Sequence, residues 1–468
     1  QRPFLQSHFF EHLKMDMDTA MNPTILGYST FSVQFTGHMI LRLTKNGQVV
    51  TEFNGNGIET YTNSQGNQNL ADYSYGSSDK LVGVAQISNG KILIAGNIFQ
   101  DPNDSRKRIG LVRLTADGKI DSSFGTTGRK AIIPDNNPSI MKAFVKLDDE
   151  KILFNRNENT LLKIDSTGKI DSSFGTNGIL TLNLPPRNGF STEIRALAQQ
   201  ADKKILVLST NRIYRLERDG QPDNSFGTSG AITLVINSDA IGQKIGVDTD
   251  GKIVAAIQDA GGVRMFRCSA AGVADNTFGV FNNRYSNINV RNIFTDFEIL
   301  PDGKVIILCM KERFSGIPIT NNNQIIAAGA NYRDIILYRI NTNGLIDNTF
   351  GGIPLSSFYR GTSHLSLPFV EEVPGDLSIT QNGKILIAGY FNKGTGWDIG
   401  LVQLKANGLY DTTCFINGFV TAGQDDILQR EGRLSLLQLQ NGTYLIAGTQ
   451  FRGQFEERMK ALMNELEK

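Results

Sequence analysis

A histidine- and glutamate-containing segment near the N-terminus matches a known catalytic motif. Residues 8–12 read HFFEH, which fits the zinc-protease pattern H-x-x-E-H, with two histidines on one helix face as ligands and Glu11 as a base. No third ligand can be identified, and His38 and His364 are isolated. The sequence also lacks a G-x-S-x-G elbow, a P-loop and a dinucleotide-binding fingerprint. We therefore predict no metal site, no cofactor and no catalytic residue from motifs.

Aromatic and arginine residues give a second set of candidates, for binding rather than catalysis. Trp, Tyr and Arg are the residue types enriched at binding hot spots. The candidates occur in long segments between repeated motifs; they are Trp397, Tyr359, Arg360, Arg106, Arg108, Tyr73, Tyr75 and Arg313.

Composition excludes several partners. Lys and Arg total 47 and Asp and Glu total 46, a net charge of +1, which does not favour nucleic acid or anionic membranes. The apolar runs are far shorter than the roughly 18 residues of a transmembrane helix, so we predict none. Cys268, Cys309 and Cys414 are widely spaced, which predicts buried free thiols rather than a disulfide framework or a zinc site.

Two alternating motifs show which elements must position these residues. KIDSSFGTTG at residues 119–128 returns as KIDSSFGTNG at residues 169–178, and weaker copies recur roughly every 50–70 residues. Between them lie copies of a second motif, such as QNGKILIAG, which ends at Gly389. Each motif occurs seven times, counting QVVTEFNGNG from Gln48 as the first copy of the aspartate motif.

Each motif predicts part of a hairpin. LVGVAQIS-NG-KILIAG and IGLVRLTA-DG-KIDSSFG are pairs of apolar runs joined by Asn-Gly or Asp-Gly, a strong hairpin signal. A repeat therefore holds four antiparallel strands, A to D, with Lys-Ile-Asp in the outermost strand D, and this pattern indicates a β-propeller. We expect the motif Phe to pack between neighbouring sheets and the motif Asp to make a local turn hydrogen bond of about 1 kcal/mol. A calcium role for these aspartates is less favoured, because each repeat supplies one carboxylate.

The alternation of these motifs resembles the delta-60 repeat family, bacterial β-propellers of mostly unassigned function, over roughly residues 38–450. The resemblance implies an all-β propeller and a secreted or cell-surface setting, and it implies no reaction. The chain departs from the repeat at Cys414, where other copies have Phe, and at Val50, where they have Asp.

The ends of the repeat predict how the ring closes. The first copy has strands C and D over residues 38–53, and the last has strands A and B over residues 433–448. We therefore predict seven blades over residues 38–450, one of them built from two strands of each terminus. Residues 23–31, PTILGYSTF, also resemble a strand B and leave another register open. Apolar residues at helical spacing predict a helical or irregular extension over residues 1–37 and a helix over residues 451–468.

Loop lengths point to one face. The A–B and C–D turns are tight, so the long connections are B–C and D–A loops, which share a face; they are residues 54–80, 99–108, 311–333, 351–373 and 391–397. All belong to blades 6, 7, 1 and 2. Because long loops on rigid scaffolds carry binding residues, we expect a non-catalytic scaffold that binds a protein or glycan there. The alternative is a hydrolase- or lactonase-type enzyme at the channel mouth, where Asp296 and Glu298 lie in a predicted inner strand without visible convergence.

Overall fold

The structure is a computed structural model of the chain. It describes residues 15–17, 23–31, 35–42, 58–61, 80–101, 104–125, 129–132, 141–186, 192–234, 240–279, 285–288, 292–314, 319–321, 324–327, 331–351, 362–365, 367, 371–380, 382–392, 397–413, 419–422, 435–438 and 444–447.

These residues form antiparallel β-sheets and contain no α-helix. Sheets 1 to 3 each have four strands, which are β1 (Met15–Met17), β2 (Pro23–Phe31), β3 (Phe35–Arg42), β4 (Ile58–Tyr61); β5 (Lys80–Gln86), β6 (Ile92–Asp101), β7 (Asp104–Leu114), β8 (Arg129–Ile132); and β9 (Phe144–Lys146), β10 (Ile152–Asn155), β11 (Thr160–Ile164), β12 (Ile179–Thr181). Sheets 4 and 5 also have four, which are β13 (Ile194–Gln199), β14 (Ile205–Ser209), β15 (Arg212–Leu216), β16 (Ala231–Thr233); and β17 (Ile241–Val247), β18 (Ile253–Asp259), β19 (Gly262–Cys268), β20 (Tyr285–Ile288).

Two further four-stranded sheets follow, together with two small hairpins. Sheet 6 consists of β21 (Asn292–Ile299), β22 (Val305–Phe314), β25 (Asn331–Ile340) and β26 (Thr362–His364), and the hairpin β23 (Ile319–Asn321) and β24 (Gln324–Ala327) is inserted in it. Sheet 7 consists of β27 (Glu371–Ile379), β28 (Ile385–Asn392), β29 (Trp397–Leu404) and β30 (Phe419–Ala422). The C-terminal hairpin consists of β31 (Ser435–Gln438) and β32 (Tyr444–Ala447). The predicted all-β fold of four-stranded antiparallel sheets is confirmed.

Glycine turns connect the strands as predicted, but the outermost strand differs from the prediction. Gly118 has φ 85° and donates its N–H to the Thr115 carbonyl at 3.0 Å, which closes the turn after β7. Lys-Ile-Asp at residues 119–121 was expected in strand D. It forms only an isolated bridge, in which Ile120 pairs with Leu114 at the end of β7. The chain then turns, with Phe124 donating to the Asp121 carbonyl at 2.9 Å, so the outermost strand starts only after the motif.

Apolar side chains fill the spaces between consecutive sheets. One cluster combines Val263 of sheet 5 with Phe297 and Ile307 of sheet 6, and similar clusters join sheets 2 and 3, 3 and 4, 4 and 5, and 6 and 7. The middle strands are buried along their length; for example, every residue of β14 and β18 is buried except Gln258. This pattern is that of sheets covered on both faces by their neighbours, as in a propeller.

The motif Phe packs on the next sheet, as predicted. Phe174, Phe226, Phe278 and Phe350 are fully buried. A Cβ added at Gly272 would lie 2.7 Å from the Phe226 ring, and one added at Gly344 would lie 2.8 Å from the Phe278 ring. The turn glycine of one sheet therefore has two roles: it adopts a positive φ, and it leaves room for the Phe of the preceding sheet.

The motif Asp is the centre of a buried ion pair, which sequence reasoning missed. Asp223 accepts the local Ser225 N–H at 3.0 Å, as expected, but its other oxygen accepts from Arg215 at 2.6 Å and Lys204 at 2.7 Å. The Arg215 guanidinium also lies 4.6 Å from the Phe226 ring centre and donates to the Ala270 carbonyl of sheet 5. Equivalent pairs join Arg113 to Asp121, Lys163 to Asp171, Arg267 to Asp275 and Arg339 to Asp347. Arg113, Lys163 and Arg339, like Arg215, also donate to a turn carbonyl of the next sheet, which fastens the motif turn to that sheet.

The N-terminal strands do not pair as predicted. β3 was expected to join the C-terminal A and B strands in one blade, but it pairs with β2 and β4, and β31 pairs with β32. Residues 23–31 form strand β2, which is the register left open above. Met15–Met17 form a strand rather than part of the predicted helix. The predicted C-terminal helix lies outside the described residues.

Candidate functional site

The first strands of the sheets, here called the inner strands, lie beside one another from sheet to sheet. β9 contacts β5 and β13, and β17 contacts β13 and β21. A β-bulge interrupts β5, β13, β17, β21 and β27. Lys244, Asp296 and Asp376 directly follow the bulge in β17, β21 and β27, so they occupy equivalent positions in three consecutive sheets. Bulges re-aim side chains and are frequent next to active sites, which directs attention to these positions.

Lys244 joins the inner strands of sheets 5 and 6. Its Nζ lies 2.6 Å from Asp296 Oδ1, 2.9 Å from the Phe297 carbonyl oxygen and 3.4 Å from Glu298 Oε1. Asp296 Oδ1 also accepts the Phe297 N–H at 2.8 Å, which fixes the carboxylate. The side chains of Lys244 and Glu298 are 32% and 39% exposed, so part of this cluster faces solvent. The convergence that the sequence did not show for Asp296 and Glu298 is therefore present, around a lysine.

A second charged cluster joins sheets 3 and 4. Glu193, directly before β13, forms ion pairs with Lys142 and, at 2.6 Å, with Arg195 Nη1. Arg195 Nε donates to the Gly242 carbonyl of β17 at 3.2 Å, which links this cluster to sheet 5. The two clusters form one row across four sheets, here called the inner charged row, consisting of Lys142, Glu193, Arg195, Lys244, Asp296 and Glu298.

The two halves of the inner charged row carry opposite net charge. Two cations share Glu193 in sheets 3 and 4, whereas two carboxylates share Lys244 in sheets 5 and 6. Burial alone would raise the pKa of Glu193, but Lys142 and Arg195 hold it below its usual value. Burial raises the pKa of Glu298 despite the nearby Lys244. Burial would lower the pKa of Lys244, yet the charges of Asp296 and Glu298 raise it above its usual value.

Four of the eight binding residues predicted from sequence lie in described strands. Arg106 and Arg108 lie in β7, Arg313 in β22 opposite Tyr332, and Trp397 in β29 opposite Asn392. The structure gives the backbone of these four residues and does not describe their side chains. The other candidates, Tyr73, Tyr75, Tyr359 and Arg360, lie outside the described residues.

Long paired strands, here called the projecting strands, extend sheets 2 and 6. β6 and β7 have 10 and 11 residues and β22 and β25 have 10 each, whereas β14 and β15 have 5 each. In sheet 6, Lys311 is opposite Asp334 and Glu312 is opposite Arg333. Arg333 Nε also lies 3.9 Å from Glu371 Oε1 of sheet 7. The Arg333–Glu371 ion pair thus supports the base of the 311–333 connection.

The remaining chemical candidates are inert or not described. Burial raises the pKa of the Cys268 thiol to about 12 and raises that of Cys309 further, as expected for buried free thiols. HFFEH and Cys414 lie outside the described residues. Within the described part of the chain, no group of three or more His, Cys, Asp or Glu side chains could hold a metal ion. No helix in that part is long and apolar enough to span a membrane.

Sequence reasoning missed Lys142, Glu193, Arg195 and Lys244. The sequence could have indicated them in one way: they are charged residues just before or within strand A, where most residues are apolar or small. It could not show which charges meet, because the contacts join residues about 50 positions apart in different repeats.

Comparison with protein families supports a propeller repeat. A family described as "Domain of unknown function (DUF5122) beta-propeller" matches residues 87–124, 200–226, 320–350 and 380–413, which together are less than half of the chain. Each segment contains a motif aspartate, and three of them end at the motif Phe, so the match includes the residues that fasten the sheets. A search of curated proteins finds no match.

Solved structures that match this chain have low sequence identity to it. Virginiamycin B lyase from Staphylococcus aureus is 12% identical over 82% of this chain and 91% of its own, with a TM-score of 0.44. A protein from Lactobacillus plantarum is 10% identical over 86% and 96%, with a TM-score of 0.41. An ulvan lyase of polysaccharide lyase family 25 is 9% identical over 97% and 96%, with a TM-score of 0.42. The β-propeller assignment therefore depends on the repeated sheets and the family match.

Proposed function

We propose that this protein is a non-catalytic binding scaffold that recognises a protein or glycan through the loop-rich face of sheets 6, 7, 1 and 2. The candidate contacts are the eight aromatic and arginine residues named from the sequence. The same proposal assigns the chain to the delta-60 repeat type and to a secreted or cell-surface setting, as the resemblance implies. It also assigns residues 451–468 to a terminal helix outside the propeller.

The single observation that carries this proposal is the projection of sheets 2 and 6 by long paired strands. The paired strands β22 and β25 extend well beyond their counterparts in sheets 3 and 4, and their base is held by Arg333 and Glu371. Surfaces presented by preorganised elements bind with a lower ordering cost than mobile loops. A projection whose base is held by an inter-sheet ion pair therefore suits recognition of a large ligand.

We also propose that the sheets form a closed ring. The support is that β31 contacts β27 and β28 of sheet 7, while β32 contacts β2 of sheet 1. The hairpin therefore lies between sheet 7 and sheet 1, in addition to the four strands of sheet 1. Truncation after Leu428 removes this hairpin, and we expect a lower melting temperature; an unchanged melting temperature would contradict closure.

The binding proposal is tested by shortening the projection of sheet 6. Residues 315–330 are replaced by Asn-Gly in a shortened variant that also carries Arg313→Ala and Trp397→Ala, which leaves β22, β25 and the Arg333–Glu371 contact in place. On a glycan array and in a pull-down with the native host's surface extract, we expect the intact protein to bind and the shortened variant to lose that binding. Asp250→Asn, in an exposed turn at the opposite end of sheet 5, is the control and should bind normally. Full binding by the shortened variant would overturn the proposal.

One observation favours the alternative of an enzyme. Glu298 is partly exposed and has a raised pKa beside the cationic Lys244, as acid–base catalysts often do. If this alternative holds, Glu298→Gln abolishes turnover of a substrate while binding at the loop-rich face persists.

A further inference from the structure

We propose that the C-terminal hairpin is the inner half of an incomplete blade, and that the edge of β32 opposite β31, here called the β32 edge, binds an extended β-hairpin of a partner protein. This site is a strand edge and is separate from the loop-rich face. The inference rests on the closed ring proposed above, because it places the hairpin between sheet 7 and sheet 1.

The first argument is the place of the hairpin in the ring. β31 contacts β27 and β28, just as β17 contacts β13 and β14 where sheet 5 follows sheet 4. The hairpin therefore takes the position of the first two strands of a sheet that follows sheet 7. In sheets 2 to 7, a third strand covers the outer edge of the second strand. Among the described residues, β32 pairs with β31 alone.

The second argument is that β32 has the sequence of a covered strand. NGTYLIAG at residues 441–448 differs at only two positions from NGKILIAG at residues 89–96, which includes the start of β6. Residues 92–95 of β6 are fully buried and pair with β5 on one edge and β7 on the other. An apolar strand with one unpaired edge is a template for another strand, so the β32 edge suits strand addition.

The third argument is the side of sheet 7 that faces the hairpin. Sheets 2, 3, 4 and 6 each use a basic side chain to bind a turn carbonyl of the next sheet; Arg339, for example, donates to Ala406 of sheet 7 at 2.7 Å. Sheet 7 has Gln403 at this position, and its amide donates to Asp411 at 2.7 Å. The Gln403 side-chain oxygen is buried without a hydrogen-bond partner among the described residues. Sheet 7 therefore lacks the usual bond to a following turn, and an incoming turn with an N–H donor would supply one.

The repeat specifies the chemistry of the partner. In sheets 2 to 7 the third strand is antiparallel to the second and mostly apolar, such as IGLVRL at residues 109–114. Within the described part of the chain, each such strand already pairs in its own sheet. Residues 451–468 have apolar residues at helical spacing, which does not fit a strand. We therefore assign the β32 edge to a mostly apolar hairpin of another protein.

The test uses a fluorescent peptide with the sequence of residues 108–124, which contains a third strand, its turn and the motif. Fluorescence anisotropy and calorimetry measure its binding to the intact protein. We expect saturable binding of one peptide per protein chain. No saturable binding would overturn the proposal.

N-methylated peptides test which edge of the added strand is used. In sheet 2, the Asp121 N–H donates to the Arg113 carbonyl at 2.9 Å, so Arg113 faces outwards and residues 110, 112 and 114 face β6. N-methylation at residues 110, 112 and 114 should weaken binding at least about 10-fold, because it removes the donors that face β32. N-methylation at residues 109, 111 and 113 should change affinity less than about 3-fold. Equal effects of the two peptides would refute strand addition.

Two variants locate the site on the protein. Gln403→Arg supplies the donor that other sheets use for a turn carbonyl, so we expect the peptide to bind at least about 5-fold more tightly, a gain that misfolding cannot produce. Gln221→Arg adds the same charge at an exposed position of sheet 4 and should leave affinity unchanged. Equal gains would show general electrostatics and refute the site. Truncation after Leu428 removes the hairpin, and peptide binding retained by the truncated chain would also refute it.

Other occupants of the β32 edge give distinct results. Binding only after removal of residues 449–468 would show that this chain covers the edge itself. A dimer that the peptide dissociates, detected by sedimentation, would show that a second copy covers it. Either result overturns the assignment to a partner protein. A lower melting temperature of the truncated chain without peptide binding to the intact protein would refute this inference and leave ring closure supported.

Discussion

The Arg215–Asp223 pair allows the sharpest test of what holds the sheets together. Both residues are buried, with 5% and 4% of their surfaces exposed, and their charged atoms are 2.6 Å apart. If Asp223 made only a turn hydrogen bond, Asp223→Ala would cost about 1 kcal/mol. Removing one partner of a buried pair instead leaves the other charge uncompensated, so we expect a loss of about 3–5 kcal/mol in the free energy of unfolding.

The assay is urea unfolding followed by circular dichroism, with three matched variants. Asp250→Ala removes an aspartate whose side chain is 72% exposed and pairs with Lys252, so we expect at most about 0.5 kcal/mol of destabilisation. The double variant Arg215→Met with Asp223→Leu removes both charges and should recover much of the loss, because apolar residues can replace a buried pair. A loss of only about 1 kcal/mol for Asp223→Ala, or a double variant no better than the single one, would refute the ion-pair argument.

Three further predictions follow from the packing and the charges. Phe174→Ala removes a fully buried ring and should cost about 3–5 kcal/mol in urea unfolding; a loss below about 1 kcal/mol would show that the ring does not pack between sheets. Gly344→Ala should lower the free energy of unfolding more than Gly251→Ala, although both glycines have φ 76°. An added Cβ would lie 2.3 Å from Gly279 N at Gly344 but 3.7 Å from Ala270 Cβ at Gly251. Equal losses in the free energy of unfolding would contradict the close approach at Gly344. Burial alone would raise the pKa of Asp171, but hydrogen bonds from Ser173 and Lys151 lower it from 3.8 to about 2. The stabilisation from this carboxylate is therefore present above about pH 4 and is lost as pH falls towards about 2. Between these pH values the free energy of unfolding should change less with pH in Asp171→Asn than in the unmodified protein, and an identical pH dependence would refute the assignment.

Sequence alone was sufficient for the fold class because the repeat is local. Asn-Gly and Asp-Gly turns, apolar alternation and the spacing of the motif specify hairpins within each repeat, and a hairpin needs only neighbouring residues. The buried Phe at positions such as Phe174 was also predictable, since a large apolar residue repeated in every unit must find cover between units. The aspartate's bond to the next serine or threonine, as in Asp171 and Ser173, follows from the same local chemistry.

Only the tertiary structure decided which residues meet across the sheets. The pairing of β3 with β2 rather than with the C-terminal strands depends on competition between two similar strand-B sequences, and both satisfy the same alternation. The partner of Asp223 is Arg215, eight residues earlier; a basic residue recurs at this spacing in other repeats, but the spacing alone does not show that the two side chains meet. The convergence of Lys244 with Asp296 joins residues of different repeats, and each of them follows a bulge in its own inner strand. Alternation specifies which face of a strand a residue is on, whereas contacts between sheets depend on bulges and on the rotation of one sheet against the next, which only the folded chain determines.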